Sequence, residues 1–187
     1  MRRFRKDGLI PVFWHTWENN LEPDGRICQS EASWRKGSQR VNIDKYFEEY
    51  EIGERFVSRG RTITEADLVN FSGISGDWYP LHTDVEYVKT TPFKQRIAHG
   101  MLVLSIGTGL CNLQPGYLIA FYGMDRVRFV NPTFIGDTIH VESEVTEKTD
   151  KGERGGVLTF RQEIKKQTGE VVVSAMKKIL VAKKPTG

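Results

Sequence analysis

Residues 99–113, HGMLVLSIGTGLCNL, predict a long helix that is apolar on nearly every side. A helix of this kind has no polar face to turn toward water, so we expect it to be buried all round and wrapped by a sheet. Its three glycines, Gly100, Gly107 and Gly109, would each weaken an isolated helix by about 1 kcal/mol relative to alanine. Their presence predicts close approach of strands, or of a ligand, to the helix backbone.

The sequence that follows predicts strands separated by short turns. Alternating apolar residues, with Pro, Gly, Asn and Asp between the runs, are typical of an antiparallel sheet. The predicted strands are residues 117–122, 125–130, 138–147, 156–165 and 171–181. One buried helix followed by antiparallel strands predicts an α+β domain.

A second helix is predicted to begin at Thr64, ahead of the apolar one. The Thr64 hydroxyl can cap the N–H of Asp67, whose carboxylate can cap Thr64 in return. This helix cannot continue far beyond Gly73, so the turn that follows delivers Asp77 from a helix end. Asp84 is predicted to cap another short helical turn.

Composition and charge limit the class of protein. The chain has 187 residues and 39% hydrophobic content, enough for one domain with its own core. Residues 1–40 hold eight basic and five acidic side chains, and the rest of the chain is neutral overall. Because the basic excess lies outside the predicted domain, nucleic-acid binding is not expected. We expect residues 1–42 to be a peripheral or disordered N-terminal extension and residues 43–187 to be the domain.

The apolar stretches are far shorter than the roughly 20 residues that span a bilayer, so no membrane segment is expected. The basic N-terminus lacks the long apolar region of a secretory signal. Cys28 and Cys111 form neither a disulfide framework nor a metal-binding pattern, which predicts a cytoplasmic protein.

Asp77 and His82 form a candidate acid–base pair. The rigid Trp-Tyr-Pro-Leu turn between them can hold a carboxylate and an imidazole close enough to share one water or one substrate proton. The start of the apolar helix supplies free N–H groups for a developing negative oxygen. This arrangement predicts proton transfer on a carbonyl compound without a metal, and the residues alone leave open which group takes the first proton.

Three segments together resemble the MaoC-like dehydratases, the (R)-specific enoyl-CoA hydratases of hotdog fold. They are SGDWYPLHTD at 75–84, TTPFKQRIAHGML at 90–102 and RVRFVNPTFIGDTI at 126–139, and the resemblance extends over residues 44–182. It implies a long central helix enclosed by a curved antiparallel sheet. It also implies a homodimer or higher homo-oligomer, with an acyl-CoA thioester along the subunit interface.

The resemblance also implies roles for individual residues. Asp77 and His82 match the catalytic pair that activates the water added to a trans-2-enoyl-CoA, giving an (R)-3-hydroxyacyl-CoA. The backbone N–H of Gly100 matches the group that polarises the thioester carbonyl. Coenzyme A belongs to the substrate, and no separate cofactor is expected. The predicted substrate-binding residues are Tyr79, His99, Thr108, Arg126 and Arg128.

Tyr79 departs from the family, because many members carry asparagine at this position. The tyrosine could donate to the same oxygen as that amide, or it could narrow the acyl pocket. A hotdog acyl-CoA thioesterase and a noncatalytic acyl-CoA-binding module are the alternative functions. Acyl chain length, the direction of reaction and the choice between coenzyme A and an acyl-carrier protein stay open.

Overall fold

The computed structural model describes residues 39–40 and 42–185, with side chains from Ile43 onward. These residues all belong to one compact unit, Gly37–Gly187. Backbone pairing is already present at Gln39–Arg40 and Asn42–Ile43. The rest of the predicted N-terminal extension, residues 1–38 and 41, lies outside the described residues.

The described residues form nine strands and four α-helices, which confirms the α+β prediction. The strands are β1 (Gln39–Arg40), β2 (Asn42–Ile43), β3 (Arg55–Val57), β4 (Arg61–Thr62), β5 (Asn112–Leu113), β6 (Leu118–Phe129), β7 (Thr138–Asp150), β8 (Gly156–Lys166) and β9 (Val171–Val181). The helices are α1 (Glu65–Ser75), α2 (Pro80–Thr83), α3 (Val85–Lys89) and α4 (Gly100–Leu110).

The main sheet has the strand order β1-β3-β7-β8-β9-β6, and β4 also pairs with β7. Every pairing in it is antiparallel except that of β1 with β3, and β2 and β5 form a separate parallel pair. Buried and less buried residues alternate along most of β7 and β9, as expected when one sheet face packs on a core. That face packs against α4.

Helix α4 touches the sheet closely at two of its predicted glycines. A Cβ atom on Gly107 would lie 2.4 Å from Ile164 Cδ1, and one on Gly100 would lie 2.7 Å from the Phe129 ring. Side chains at these positions would force the sheet away, so close backbone approach is confirmed there. At Gly109, nothing lies within 4 Å of the added atom, so no described strand approaches there, and close approach of a ligand stays a prediction.

Two other predictions about α4 need correction. Met101 is 55% exposed, and Ser105 and Gly109 are exposed as well, so the helix is not buried all round. These positions are four residues apart and form one stripe that no described element covers. The helix also ends at Leu110 rather than 113, because Asn112–Leu113 leaves the helix to pair with β2.

Strand β6 is continuous where two strands were predicted. It pairs only with β9 among the described strands, and three register shifts bend it along its length. One shift lies between Asp125 and Arg128, where Arg126 adopts a left-handed φ of 53°. A bulge of this kind inserts an extra residue while the strand continues. The gap between the two predicted strands, at Gly123 and Met124, adjoins another of these shifts, between Phe121 and Gly123.

Among the described residues, no helix has both the length and the apolar character needed to cross a membrane.

Candidate active site

Asp77 is placed by the end of helix α1. Thr64 and Asp67 cap the start of this helix reciprocally, as predicted. Gly76 ends it with a left-handed φ of 77° and donates its N–H to Ser72 O at 2.9 Å. This C-cap favours glycine because other residues are strained at positive φ. The exposed Asp77 follows directly, and its Oδ1 accepts the Tyr79 N–H at 3.2 Å.

His82 lies on the short helix α2, which begins at Pro80. Its Nδ1 is 2.8 Å from the carbonyl oxygen of Ile97. Because a carbonyl can only accept a hydrogen bond, Nδ1 carries the proton in this contact and Nε2 keeps its lone pair. The half-buried imidazole can therefore take up a proton at Nε2.

His99 lies beneath His82, at the N-cap of helix α4. The two rings are stacked, with centroids 3.8 Å apart and an angle of 27° between their planes. His99 Nε2 is 3.0 Å from Asp77 O and 3.2 Å from Ser72 Oγ. Burial lowers the pKa of His99 below its ordinary value.

The structure thus brings together Asp77, His82 and His99, whose ligand-type atoms all lie within 4.8 Å of one another. Two imidazoles and a carboxylate are a common set of metal ligands. A metal ion binds in the plane of an imidazole ring, however, whereas these two rings lie face to face. The arrangement suits an acid–base site better than a metal centre.

Gly100, the first residue of α4, lies next to His99. N–H groups in the first turn of a helix have no partner within the helix, and the helix dipole makes this end attractive to negative charge. Gly100 also lines a largely apolar cavity of about 230 Å³. The side chains of Asp77 and His82 do not line this cavity, but Ile97, whose carbonyl accepts from His82, does.

The remaining predicted site residues, Thr108, Arg126 and Arg128, belong neither to the Asp77, His82 and His99 cluster nor to the lining of the cavity. The Thr108 hydroxyl donates to Leu104 O at 3.2 Å, within its own helix. Arg126 and Arg128 are both exposed on β6, and Arg128 donates to Val127 O at 2.9 Å. Their predicted placement on one strand face assumed regular alternation, which the bulge at Arg126 interrupts. These contacts leave the substrate-binding roles of the three residues as predictions.

Two side chains at the site were not singled out from the sequence. Ser72 is fully buried and contacts His99, and Tyr87 contacts Tyr79 through their hydroxyls at 3.2 Å. A serine on the apolar face of an otherwise predictable helix was an available signal for Ser72. Tyr87 carries no such signal, because its position depends on how α2 and α3 pack.

Fold and site together define a hotdog-fold protein with a carboxylate and an imidazole close together beside the start of the central helix. A Mycobacterium tuberculosis protein described as a double hotdog fold is similar in fold, with a TM-score of 0.68 and 21% identity. The match covers 82% of this chain and 47% of that one. An Archaeoglobus protein described as a monoamine oxidase regulatory protein is similar with a TM-score of 0.71 and 44% identity. It is matched over its whole length and over 79% of this chain.

The sequence profile described as MaoC like domain matches residues 48–167, and the chain belongs to this MaoC-like dehydratase family. It is 39% identical to Protein MaoC of Klebsiella aerogenes, over 65% of this chain and 38% of that protein. It is 40% identical to an (R)-specific enoyl-CoA hydratase of Rhodospirillum rubrum, over 54% of this chain and 69% of that protein. The chain therefore spans well under half the length of the Klebsiella relative.

Proposed function

We propose that this chain reversibly hydrates a trans-2-enoyl-CoA to an (R)-3-hydroxyacyl-CoA, without a separate cofactor. Asp77 and His82 hold and activate the water, and the Gly100 N–H polarises the thioester carbonyl. The observation that carries the proposal is the close approach of a carboxylate and an imidazole whose Nδ1 faces a carbonyl oxygen, which leaves Nε2 to exchange a proton. The named hydratase relatives support the same reaction.

Water addition needs one group to remove a proton from water and another to supply one to the substrate. The pair takes a proton as the water oxygen bonds to the β-carbon, and it returns a proton to the α-carbon, so its charge is restored after each turnover. Dehydration is the same path in reverse. The first proton can go to either residue, and we assign it to the pair jointly.

The enolate that forms between these two transfers needs a charge sink. A thioester carbonyl placed against Gly100 would meet a free N–H and the positive end of the α4 dipole. The neighbouring apolar cavity offers space from which the carbonyl group could approach.

The proposal is tested by following the enoyl-thioester absorbance of crotonyl-CoA together with thiol release. Loss of the absorbance without free thiol is the expected result. Release of thiol would indicate the thioesterase. Binding of crotonyl-CoA without either change would indicate a noncatalytic module, and either of these outcomes would overturn the proposal.

We further propose that a second copy of this chain covers strand β6. The outer edge of β6 has no partner strand among the described residues, and Ile119, Phe121 and Phe129 along it are each about half exposed. A long apolar edge strand invites pairing with another strand. The exposed stripe on α4 that begins at Met101 offers further apolar surface.

Light scattering after size exclusion tests this proposal. One chain has a mass of 21.4 kDa, and the measured mass should be twice that of one chain or a multiple of the dimer mass. Phe121→Asp is expected to shift the protein toward the monomer, whereas Ile52→Asp, which places the same charge at the more exposed Ile52, should not. A monomeric wild-type protein at micromolar concentration would contradict the proposed dimer.

A further inference from the structure

His99 is the enclosed member of the three-residue cluster. Its side chain is only 2% exposed, whereas Asp77 is exposed and His82 is half-buried. A side chain enclosed to this degree offers little surface to a substrate. Its contacts within the protein therefore define what it can do.

The hydrogen bonds of His99 determine its tautomer. Asp77 O can only accept, so His99 Nε2, at 3.0 Å, must carry the proton. The same N–H is within 3.2 Å of Ser72 Oγ, which can share it. Nδ1 is then the unprotonated nitrogen, and it is buried with no hydrogen-bond partner among the described residues.

Two rings also contact the His99 ring. His82 stacks on it at 3.8 Å, and the Phe71 ring lies with its centroid 5.0 Å away. His82 is meanwhile held at its edge by the hydrogen bond from Nδ1 to Ile97 O. The catalytic imidazole is thus fixed at one edge by a carbonyl and on one face by His99.

We propose that His99 is a positioning residue that fixes both members of the acid–base pair. It holds Asp77 through that residue's backbone carbonyl and His82 through ring stacking, and it acts as a neutral imidazole protonated at Nε2. This inference rests on the proposed hydration at Asp77 and His82.

A neutral ring beneath His82 suits the reaction. Burial disfavours a charge on His99 and lowers its pKa, and the titratable groups that face it are His82 and Asp77. A cation on His99 would repel a proton arriving on His82, since the ring centroids are 3.8 Å apart. The face of a neutral His99 ring can instead accommodate a protonated His82 stacked on it, since aromatic faces attract cations.

Three substitutions separate the two contacts. His99→Ala removes both, His99→Gln keeps a donor that can reach Asp77 O, and His99→Phe keeps a ring that can stack on His82. Misplacement of a reacting group by about 1 Å can cost about a hundredfold in rate. We therefore expect kcat of His99→Ala to fall about a hundredfold. His99→Gln and His99→Phe should each recover part of this loss, and KM should stay within about threefold in all three.

His140→Gln is the matched control, because His140 lies on β7 and contacts Glu142 away from the site. It should keep the wild-type kcat. Melting curves correct each rate for the folded fraction. Wild-type kcat in His99→Ala, an equal loss in all three variants, or a raised KM at unchanged kcat would each overturn the proposal.

A measurement without activity separates this proposal from the hydration itself. Two-bond 1H–15N correlation spectra of the wild-type protein report the tautomer of each histidine, and the His99 signals are those lost in His99→Gln. We expect a protonated Nε2 and an unprotonated Nδ1 at about pH 8, and a titration of the ring at a lower pH than that of an ordinary histidine. A proton on Nδ1 at about pH 8, or titration at or above the pH of an ordinary histidine, would overturn the proposal whether or not the protein hydrates crotonyl-CoA.

Discussion

The Tyr79 hydroxyl lies 3.2 Å from the Tyr87 hydroxyl, and the Tyr79 ring stands edge-on to His82 at a centroid distance of 6.3 Å. Only the backbone N–H of Tyr79 contacts the Asp77 carboxylate. The hydroxyl is thus directed to α3, while the ring occupies space beside the His82 imidazole. This geometry favours a role for Tyr79 in shaping the acyl site over one in orienting water.

Tyr79→Phe and Tyr79→Asn test these two roles. Tyr79→Phe keeps the ring and loses one exposed hydrogen bond worth about 1 kcal/mol, so kcat on crotonyl-CoA should stay within about fivefold. Tyr79→Asn removes the ring, and kcat/KM for longer or branched enoyl-CoA relative to crotonyl-CoA should rise about tenfold. Rates across a panel of acyl chains measure both effects. If Tyr79→Phe loses as much activity as the catalytic-pair variants, the hydroxyl takes part in the chemistry.

Asp77→Asn and His82→Ala should each lower kcat on crotonyl-CoA at least about a hundredfold, as expected when one member of an acid–base pair is removed. Asp77 is exposed and His82 half-buried, so neither variant should lose its fold. Asp84→Asn is the matched control, because Asp84 caps α3 and its amide replacement can still cap. Near-normal rates in both Asp77→Asn and His82→Ala would contradict the proposed acid–base roles of these two residues.

The sequence predicted the parts of this fold that depend on local chemistry. The capping box at Thr64, the cap at Asp84 and the strand Val171–Val181 follow from residue types a few positions apart. It did not predict that β6 continues through Gly123 and Met124, or that Arg126 forms a bulge, because a bulge depends on the neighbouring strand. Nor could it predict the open side of α4, since a pattern of apolar residues does not say which element covers them.

In the site, too, features set by nearby residues were predictable, and features set by tertiary packing were not. The spacing of Asp77 and His82 predicted that the two side chains lie close together, which the structure confirms, and their catalytic roles stay predictions. The stacking of His82 on His99 and the contact with Ser72 depend on how α1, α2 and α4 meet. These tertiary contacts carry no periodic signal in the sequence.

Replacing both Arg126 and Arg128 with alanine should raise KM for crotonyl-CoA several-fold and leave kcat within about twofold. Both arginines are exposed on β6, so their guanidinium groups are accessible to coenzyme A phosphates. The effect should shrink in high salt and vanish with crotonyl-pantetheine, which lacks those phosphates. Arg154→Ala, in an exposed turn, is the control. An equal rise in KM for both substrates would contradict phosphate binding.

Glu142 is expected to make stability depend on acid pH. Burial alone would raise its pKa, but hydrogen bonds from His140 and Lys165 lower it to about 2, from an ordinary value of 4.5. Because the folded pKa is depressed, the stabilisation is complete above about pH 4.5 and is lost as the pH falls toward 2.

Glu142→Gln should therefore lower the free energy of unfolding by about 1–2 kcal/mol at neutral pH, after allowance for solvent screening. The difference from wild type should disappear near pH 2. Urea unfolding at a series of pH values measures it, with Glu153→Gln in an exposed turn as the control. A difference that does not change with pH would contradict the electrostatic origin.

Gly107 and Ile164 provide a direct test of how closely helix and sheet approach. A Cβ atom on Gly107 would lie 2.4 Å from Ile164 Cδ1, so Gly107→Ala should destabilise the protein by about 1–3 kcal/mol. Ile164→Val removes the colliding methyl group and should itself cost about 0.5–1.5 kcal/mol. The double variant should be more stable than the sum of the two single losses predicts, because the closest contact is removed and the next, to Ile164 Cγ1, is 3.1 Å.

Gly73→Ala is the matched control for this cycle. Nothing lies within 4 Å of a Cβ atom at exposed Gly73, so alanine there should stabilise helix α1 by about 0.5–1 kcal/mol. Denaturant unfolding of the five proteins gives all the free energies needed. Strictly additive losses at Gly107 and Ile164 would mean that the helix and the sheet lie farther apart than the structure places them.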